Sequence, residues 1–294
     1  MKSGFVSIVG RPNVGKSTLL NKIMNKKLAI TSDKVGTTRN NIYGIYNDSD
    51  TQIVFVDTPG IAKASNKLGT VLNKKAYEAM ENDIVLFIID IAGGFGKGDE
   101  KILNKLKQEE KEVILVLNKT DKIKKEKLIT EIVKLKDMYN FLDIVPTSSL
   151  KGDNIKELIK VIKTHLKDDI KYFDDDVVTN VSENFMISEI IREKVLMLTK
   201  EEVPHAITCL IENISYKKDS VYINALIIVD RDNLKKIIIG KQGSMLKKIG
   251  SASRVEIEEL LGKKVFLELY VKTIKNWREK ENIFEYLGIC ELND

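Results

Sequence analysis

The chain has only two cysteines in 294 residues, Cys209 and Cys290. Two thiols that far apart in sequence do not make a disulfide-stapled secreted scaffold, and they read as thiols of a reducing cytoplasm. No apolar run approaches the length that spans a bilayer; the longest, Ile84 to Ile89, ends at Asp90. The first expected strand begins almost at Met1, which leaves no room for a signal peptide. Charge of one sign is not in excess either. There are 48 basic and 43 acidic residues, a net charge of +5, too mild to argue for nucleic acid by itself. Internal repeats and low-complexity segments are absent. What remains is 43% apolar content, enough for real cores, in a length comfortable for two domains.

The first part alternates in period. Strands are expected at Gly4–Val9, Tyr43–Asn47, Gln52–Asp57, Ile84–Asp90, Val113–Asn118 and Ile144–Pro146. Helices are expected at Lys16–Met24, Asn66–Glu81, Asp99–Lys107, Glu126–Met138 and Ile155–His165. Such alternation predicts an α/β domain, a mostly parallel sheet with helices on both faces. Lys167 to Thr179 breaks the pattern, with five aspartates and no periodicity, and reads as a linker. The second part reads helix, strand, strand, helix, helix, strand: Asn184–Thr199, His205–Asn213, Val221–Val229, Asn233–Ile239, Ser244–Leu261 and Val265–Lys272. A short tail helix is expected around Trp277. No parallel crossover unit repeats, so this is an α+β domain. The expected organisation is 1–170, a linker at 171–182, and 183–294.

Gly10-Arg11-Pro12-Asn13-Val14-Gly15-Lys16-Ser17 fits the G-x-x-x-x-G-K-[ST] phosphate-binding pattern, and Thr18 follows it into the helix. Its flanks, an apolar strand before and a helix after, supply the context the pattern needs. In such a loop the backbone N–H groups converge on phosphate oxygens at the positive end of a helix. Lys16 should reach the β- and γ-phosphates, and Ser17 should hold Mg²⁺. Asp57-Thr58-Pro59-Gly60 follows an apolar strand, placing a carboxylate where it can hold the Mg²⁺ shell and an N–H near a γ-phosphate. Asn118-Lys119-Thr120-Asp121 also follows a strand. The Asp121 carboxylate can accept the N1–H and 2-amino group of guanine, a donor pair that adenine lacks. Ser148-Ser149-Leu150 follows Val145-Pro146, where a backbone N–H can reach the guanine O6.

In the second part, Gly240-Lys241-Gln242-Gly243 lies between two helical segments, a G-x-x-G loop of the kind that lets an RNA backbone approach. From Val181 onward the count is 18 basic to 18 acidic, so the domain is formally neutral. Asn233 to Ser253, however, holds Lys235, Lys236, Lys241, Lys247 and Lys248 and no acid. That local patch suits a phosphate backbone. Ile237, Ile238, Ile239, Leu246 and Ile249 divide between core and a base-lining groove, and the sequence does not sort them.

This set of motifs resembles the translation-factor class of small GTPases. With Gly36-Thr37-Thr38-Arg39 as the first switch and Asp57-Thr58-Pro59-Gly60-Ile61 as the second, it is similar to the Era branch, whose GTPase domain is followed by one KH domain. The resemblance extends through Ser188–Lys194 and Pro204–Glu212. It implies that Thr38 caps Mg²⁺ in the triphosphate state and that Asn13 helps hold K⁺ against the phosphates. It implies a GTP-hydrolysing factor, alternating between GTP and GDP, that binds the 3′ region of 16S rRNA and assists 30S subunit maturation. Many GTPases carry a water-orienting glutamine where Ile61 stands here, so intrinsic hydrolysis is expected to be slow. Ser149 stands where alanine is usual, and its N–H still serves. The resemblance also implies a cytoplasmic monomer that can associate peripherally with the inner face of the cell membrane, although no strong amphipathic anchor is visible. An RNA-binding protein with a purely structural GTPase domain is disfavoured by Lys16, Ser17, Thr38 and Asp57. A tRNA-modifying, metal-transporting or tandem-GTPase relative would need a cysteine-bearing tail, membrane spans or a second glycine loop.

Overall fold

The structure, a computed structural model, describes residues 1–201, 203–287 and 289. Its chain forms two compact units, one made by Met1–Ala64 with Gly69–Asn180, the other by Ser65–Leu68 with the chain from Val181.

The first unit contains β1 (Lys2–Val9), α1 (Lys16–Met24), β2 (Ile42–Asn47), β3 (Thr51–Asp57), α2 (Lys67–Glu78), β4 (Ile84–Asp90), α3 (Lys97–Gln108), β5 (Val113–Asn118), α4 (Lys125–Leu135), β6 (Asp143–Pro146) and α5 (Ile155–His165). Six strands form one sheet in the order β2-β3-β1-β4-β5-β6. All neighbours run parallel except β2, which pairs antiparallel to β3 through a tight connection. The central strands are continuous apolar runs because both of their faces are covered: Ile84 to Ile89 and Val113 to Leu117 are almost entirely excluded from solvent. Burying each such side chain contributes roughly 1.5–3 kcal/mol.

Parallel pairing brings the C-terminal ends of β1, β3, β4 and β5 to one edge of the sheet. The glycine loop follows β1, Asp57-Thr58-Pro59-Gly60 follows β3, Asn118-Lys119-Thr120-Asp121 follows β5 and Ser148-Ser149-Leu150 follows β6, while Gly36–Arg39 leads into β2. Loops outside the carboxyl ends of parallel strands form the natural crevice of such a sheet.

The acidic segment after α5 forms no helix or strand, yet it is strapped to this unit. Ser3 N–H donates to Asp168 O at 2.8 Å, and Gln52 Oε1 accepts from the N–H groups of Tyr172 and Phe173 at 2.8 and 3.0 Å. Further on, Ile45 N–H donates to Val178 O at 2.9 Å. This run gives β2, the exposed sheet edge, a backbone partner.

The second unit contains α6 (Glu183–Leu198), β7 (Ile207–Tyr216), β8 (Ser220–Val229), α7 (Asp232–Ile239), α8 (Ser244–Leu261), β9 (Lys264–Thr273) and α9 (Glu281–Tyr286), the last preceded by a 3₁₀ turn at Trp277–Glu279. Ser182 caps α6 by accepting from Phe185 N–H. The sheet order is β7-β8-β9, with β7 antiparallel and β9 parallel to β8. Strand β7 runs past the expected end at Asn213, because a register shift between Ile211 and Asn213 lets the polar stretch to Tyr216 keep pairing with β8. One sheet face packs on helices: Val221, Ile223, Ala225, Ile227 and Val265 are buried with Ile187, Ile191 and Ile249. Arg192, also buried, donates from Nε to Glu189 one turn earlier at 2.6 Å. Cys209 is buried; Cys290 lies outside the described residues.

Candidate functional site

The glycine loop leaves β1 at Val9 and enters α1 at Lys16. Asn13 and Gly15 both take left-handed backbone, with φ of 64° and 104°. At Gly15 a side chain is excluded twice over, since a Cβ would sit 2.2 Å from the Asn118 amide nitrogen. A Cβ on Gly10 would sit 2.5 Å from Ile88 O, and one on Gly60 2.8 Å from the Pro12 backbone. The loop is thus pressed between β4, the second switch and the Asn118 motif.

Lys16 is buried and folds back over the loop, where its ammonium donates to Arg11 O at 3.0 Å and Gly10 O at 3.3 Å. Burial pushes it down to about 8, against the opposing pull of Asp57. Asp57 shows the mirror effect: burial pushes its carboxyl up to about 6, opposed by Lys16, Ser17, Thr38 and the Thr58 N–H. The Ser17 hydroxyl donates to Asp57 Oδ2 at 2.5 Å and lies 2.9 Å from Thr38 Oγ1. Asp57 Oδ1 is buried and has no hydrogen-bond partner among the described residues. Three oxygen-bearing side chains from three separate motifs therefore converge beside a buried lysine. An all-oxygen donor set with one orphaned carboxylate oxygen fits a hard divalent cation such as Mg²⁺. A cavity lined by Lys16, Ser17, Thr18, Gly36, Thr37 and Thr38 opens beside them.

The remaining switch residues are mostly structural in their contacts. Thr37 Oγ1 donates to Lys34 O at 2.6 Å, and Thr38 and Arg39 are buried. Thr58 and Pro59 are buried, with Thr58 Oγ1 donating to Ile8 O at 2.8 Å. The Ile61 side chain joins the core with Met80, Phe87 and Ile102, while its N–H donates to Gly10 O at 3.2 Å. Asn13 Nδ2 donates to Asp33 O at 2.5 Å, tying the glycine loop to the segment that leads into the first switch.

Asn118 is the hinge pin of the base-side motifs. Its Nδ2 donates to Val14 O at 2.7 Å, and its Oδ1 accepts from Ser149 N–H at 2.9 Å and Ser149 Oγ at 2.8 Å. Lys119, left-handed at φ 67°, reaches Asn13 O at 2.6 Å and Asp90 Oδ2 at 2.7 Å. Burial raises the Asp90 carboxyl, but the Lys119 hydrogen bond and charge and the N–H groups of Gly93 and Ala92 outweigh it and hold it low. Thr120 caps Thr147 O through both N–H and hydroxyl. Asp121 Oδ1 accepts from the Ser148 hydroxyl at 2.6 Å, and Leu150 is exposed beside them. Hydrogen bonds thus join the four nucleotide motifs into one network.

Two acids in this network were missed by the sequence reading. In the sequence Asp90 closes a strand and Asp99 opens a helix, with no local sign of a partner for either. Asp99, fully buried, pairs bidentately with Arg11 at 2.8 Å on both contacts and also accepts from Gly96 N–H at 2.9 Å. Burial raises its carboxyl despite Arg11. No spacing rule links Arg11 to Asp99; only the packing of α3 beside the loop does.

In the second unit, Gly240 and Gly243 have φ of 73° and 77°, and Gln242 is left-handed at 51°. A Cβ on Gly240 would lie 2.8 Å from the Met245 Cβ and N. Lys241 and Gln242 are exposed on this turn. Lys236, Lys247 and Lys248 are exposed around it and Lys235 half-buried, while Leu234, Ile238 and Ile249 fill the core and Ile237 points outward. Leu246 lines a groove of about 720 Å³ beside the turn. Among the described residues no cluster of His, Cys, Asp and Glu could hold a metal, and no helix is long and apolar enough to cross a membrane.

Residues 5–119 match the family model of the 50S ribosome-binding GTPases, and residues 202–278 match that of the KH domain. Over 99% of its length the chain is also similar to a variant of Aquifex aeolicus Era bound to GDP and AlF₄⁻, with 42% identity, complete coverage of that chain and a TM-score of 0.95. It belongs to the Era family. A second Era structure is 41% identical over the same share of this chain and all of the other, with a TM-score of 0.96. That Era is in complex with MgGDPNP and nucleotides 1506–1542 of 16S ribosomal RNA. The Era architecture is thus a P-loop GTPase domain followed by a KH domain, as the order of motifs implies.

Proposed function

We propose that this Era-family chain binds GTP at the Gly10–Ser17 loop with Mg²⁺, hydrolyses it, and binds the 3′ region of 16S rRNA through the Gly240–Gly243 turn during 30S maturation. The observation that carries this reading is the convergence of Ser17, Thr38 and Asp57 beside Lys16, on a chain that also holds a lysine-flanked G-x-x-G turn.

In this reading the loop N–H groups and Lys16 bind the phosphates, and Lys16 exchanges its two carbonyl partners for phosphate oxygens. Ser17 and Thr38 would hold the metal, with the Asp57 carboxylate supporting them. When bound, the metal neutralises charge developing on the transferred phosphate. Asn118 and Lys119 brace the glycine loop, while Asp121 selects guanine and the backbone at Leu150 meets its O6, the Ser149 N–H being engaged by Asn118 Oδ1. With Ile61 committed to the core, no side chain at that position orients water, and turnover is slow. Asn13 uses its amide nitrogen on Asp33 O, so its Oδ1 is the atom to ligate K⁺.

The domain limits in this reading are 1–170 and 183–294, joined by 171–182. The protein works as a cytoplasmic monomer, with any membrane contact peripheral.

The test is RNA affinity in two nucleotide states. An oligonucleotide matching the 16S rRNA 3′ end should bind differently with GDP and with a non-hydrolysable GTP analogue. Equal affinities would remove the switch, and equal turnover in K⁺ and Na⁺ would remove the role of Asn13.

A further inference from the structure

The sheet of the second unit has a second face, turned away from its helices. Alternation along β8 and β9 sends Tyr222, Phe266 and Tyr270 to that face, where they are 45%, 43% and 51% exposed. Tyr222 and Phe266 are direct partners in register. Their rings stack with centroids 4.7 Å apart and planes 11° from parallel. Lys264 sits over the Phe266 ring, 5.4 Å from its centroid. The next row of the same face is Asn213, Asn224 and Glu268, and Tyr270 follows on β9. Aromatic rings are costly to leave in water, and a contiguous patch of them marks a contact surface.

The groove beside the G-x-x-G turn does not stop at the helices. Its lining begins with Gly243, Leu246 and Lys247, passes β9, and includes Asn224, Tyr222 and Phe266. The G-x-x-G reading uses only the helix side of this groove. Among the described residues the β9 edge has no further strand beside it, so a chain can cross it.

We infer that the outer face of the KH sheet is a stacking platform for single-stranded RNA, receiving bases of the strand that leaves the Gly240–Gly243 turn. This rests on the RNA-binding reading of that turn and extends it. The chemistry favours RNA over an apolar protein surface on three counts. The Tyr222–Phe266 stack keeps an outer aromatic face and exposed ring edges on which a base can continue the stack, with the Lys264 ammonium beside it. The amides of Asn213 and Asn224, one row along, offer donors and acceptors to base edges. The groove is lined by Lys247 and Arg254 against a single acid, Glu268, whose carboxylate is engaged by the Tyr270 hydroxyl at 3.1 Å.

The experiment compares two lengths of single-stranded RNA on the full-length protein: a tetranucleotide that fills the turn side alone, and a decanucleotide long enough to round the β9 edge. Phe266→Ala and Tyr222→Ala should each weaken the decanucleotide roughly tenfold and leave the tetranucleotide unchanged. Phe266→Trp should retain the longer RNA's affinity. Loss of both lengths together, or of neither, overturns the platform while leaving the turn as an RNA site. Failure of the wild type to bind either length overturns the RNA reading itself, and the platform with it.

Discussion

Ser149 gives both its backbone N–H and its hydroxyl to one atom, Asn118 Oδ1, at 2.9 and 2.8 Å. The same Asn118 side chain holds Val14 O from its other end. The base-side loop and the phosphate loop are therefore connected through one amide. Replacing Ser149 with alanine keeps the N–H bond and removes the hydroxyl bond. Such a buried bond contributes about 0.5–1.5 kcal/mol net. Ser149→Ala should lower stability by that amount in urea unfolding, with GTP affinity falling no more than about threefold, because the N–H geometry persists.

Asp121 accepts from Ser148 at 2.6 Å and is the carboxylate expected to read guanine. An asparagine there would turn an N–H donor toward the guanine N1–H and amino group, leaving buried donors facing one another. Asp121→Asn should cost at least about a hundredfold in GTP affinity. Xanthosine triphosphate, with a carbonyl at the amino position, should gain. Equilibrium binding of the two nucleotides checks both directions.

Lys16 is held by burial at about 8, below its ordinary 10.5. Between those values the unfolded chain binds the proton more readily than the folded one, so this group makes stability rise with pH there. Below about 8 its penalty is present in full. Lys16→Met should therefore favour the nucleotide-free protein more at neutral pH than at high pH, a gain offset in part by losing the charge that opposes the burial of Asp57. The advantage should shrink as pH rises toward 10, while nucleotide binding is lost at every pH. Urea denaturation at pH 7.5 and 9.5 measures the difference. An advantage that does not change between them would show that desolvation of the ammonium is not the cause.

Asp99 neutralises Arg11 and also caps the first turn of α3 through Gly96 N–H. Removing it leaves a guanidinium partly buried without its partner. Asp99→Ala should destabilise by about 2 kcal/mol, a value reduced from that of a fully buried pair because Arg11 is about one-third exposed. GTP affinity should fall with it, since Arg11 belongs to the phosphate loop. Isothermal titration with GDP alongside thermal unfolding separates the two effects.

The strands of the first unit were legible because they are apolar runs too short and too β-branched to be helices. Ile84–Asp90 and Val113–Asn118 match their expected limits, as do α1, α5 and α8. Boundaries drifted where the chain ends an element by tertiary means. The helix expected to reach Glu81 tightens into a 3₁₀ turn at Ala79, where Ala79 O accepts from the buried Ser7 hydroxyl. The one expected to reach Met138 ends at Leu135, whose side chain is buried. The acidic stretch was legible as lacking periodicity, but not as a strap on β2 and β3, because its partners Ile45 and Gln52 lie more than a hundred residues away.

The sequence by itself determined which phosphate, guanine and RNA motifs are present and that each follows a strand or lies between helices, since these depend on local periodicity and on residues a few positions apart. Tertiary structure alone decided that Asp99 serves Arg11, that Asp90 serves Lys119, and that Ile238 is core while Ile237 is surface. It alone placed Tyr222 against Phe266. The reason is physical: pairing register and helix docking set which distant side chains meet, and neither is encoded within a window of local sequence.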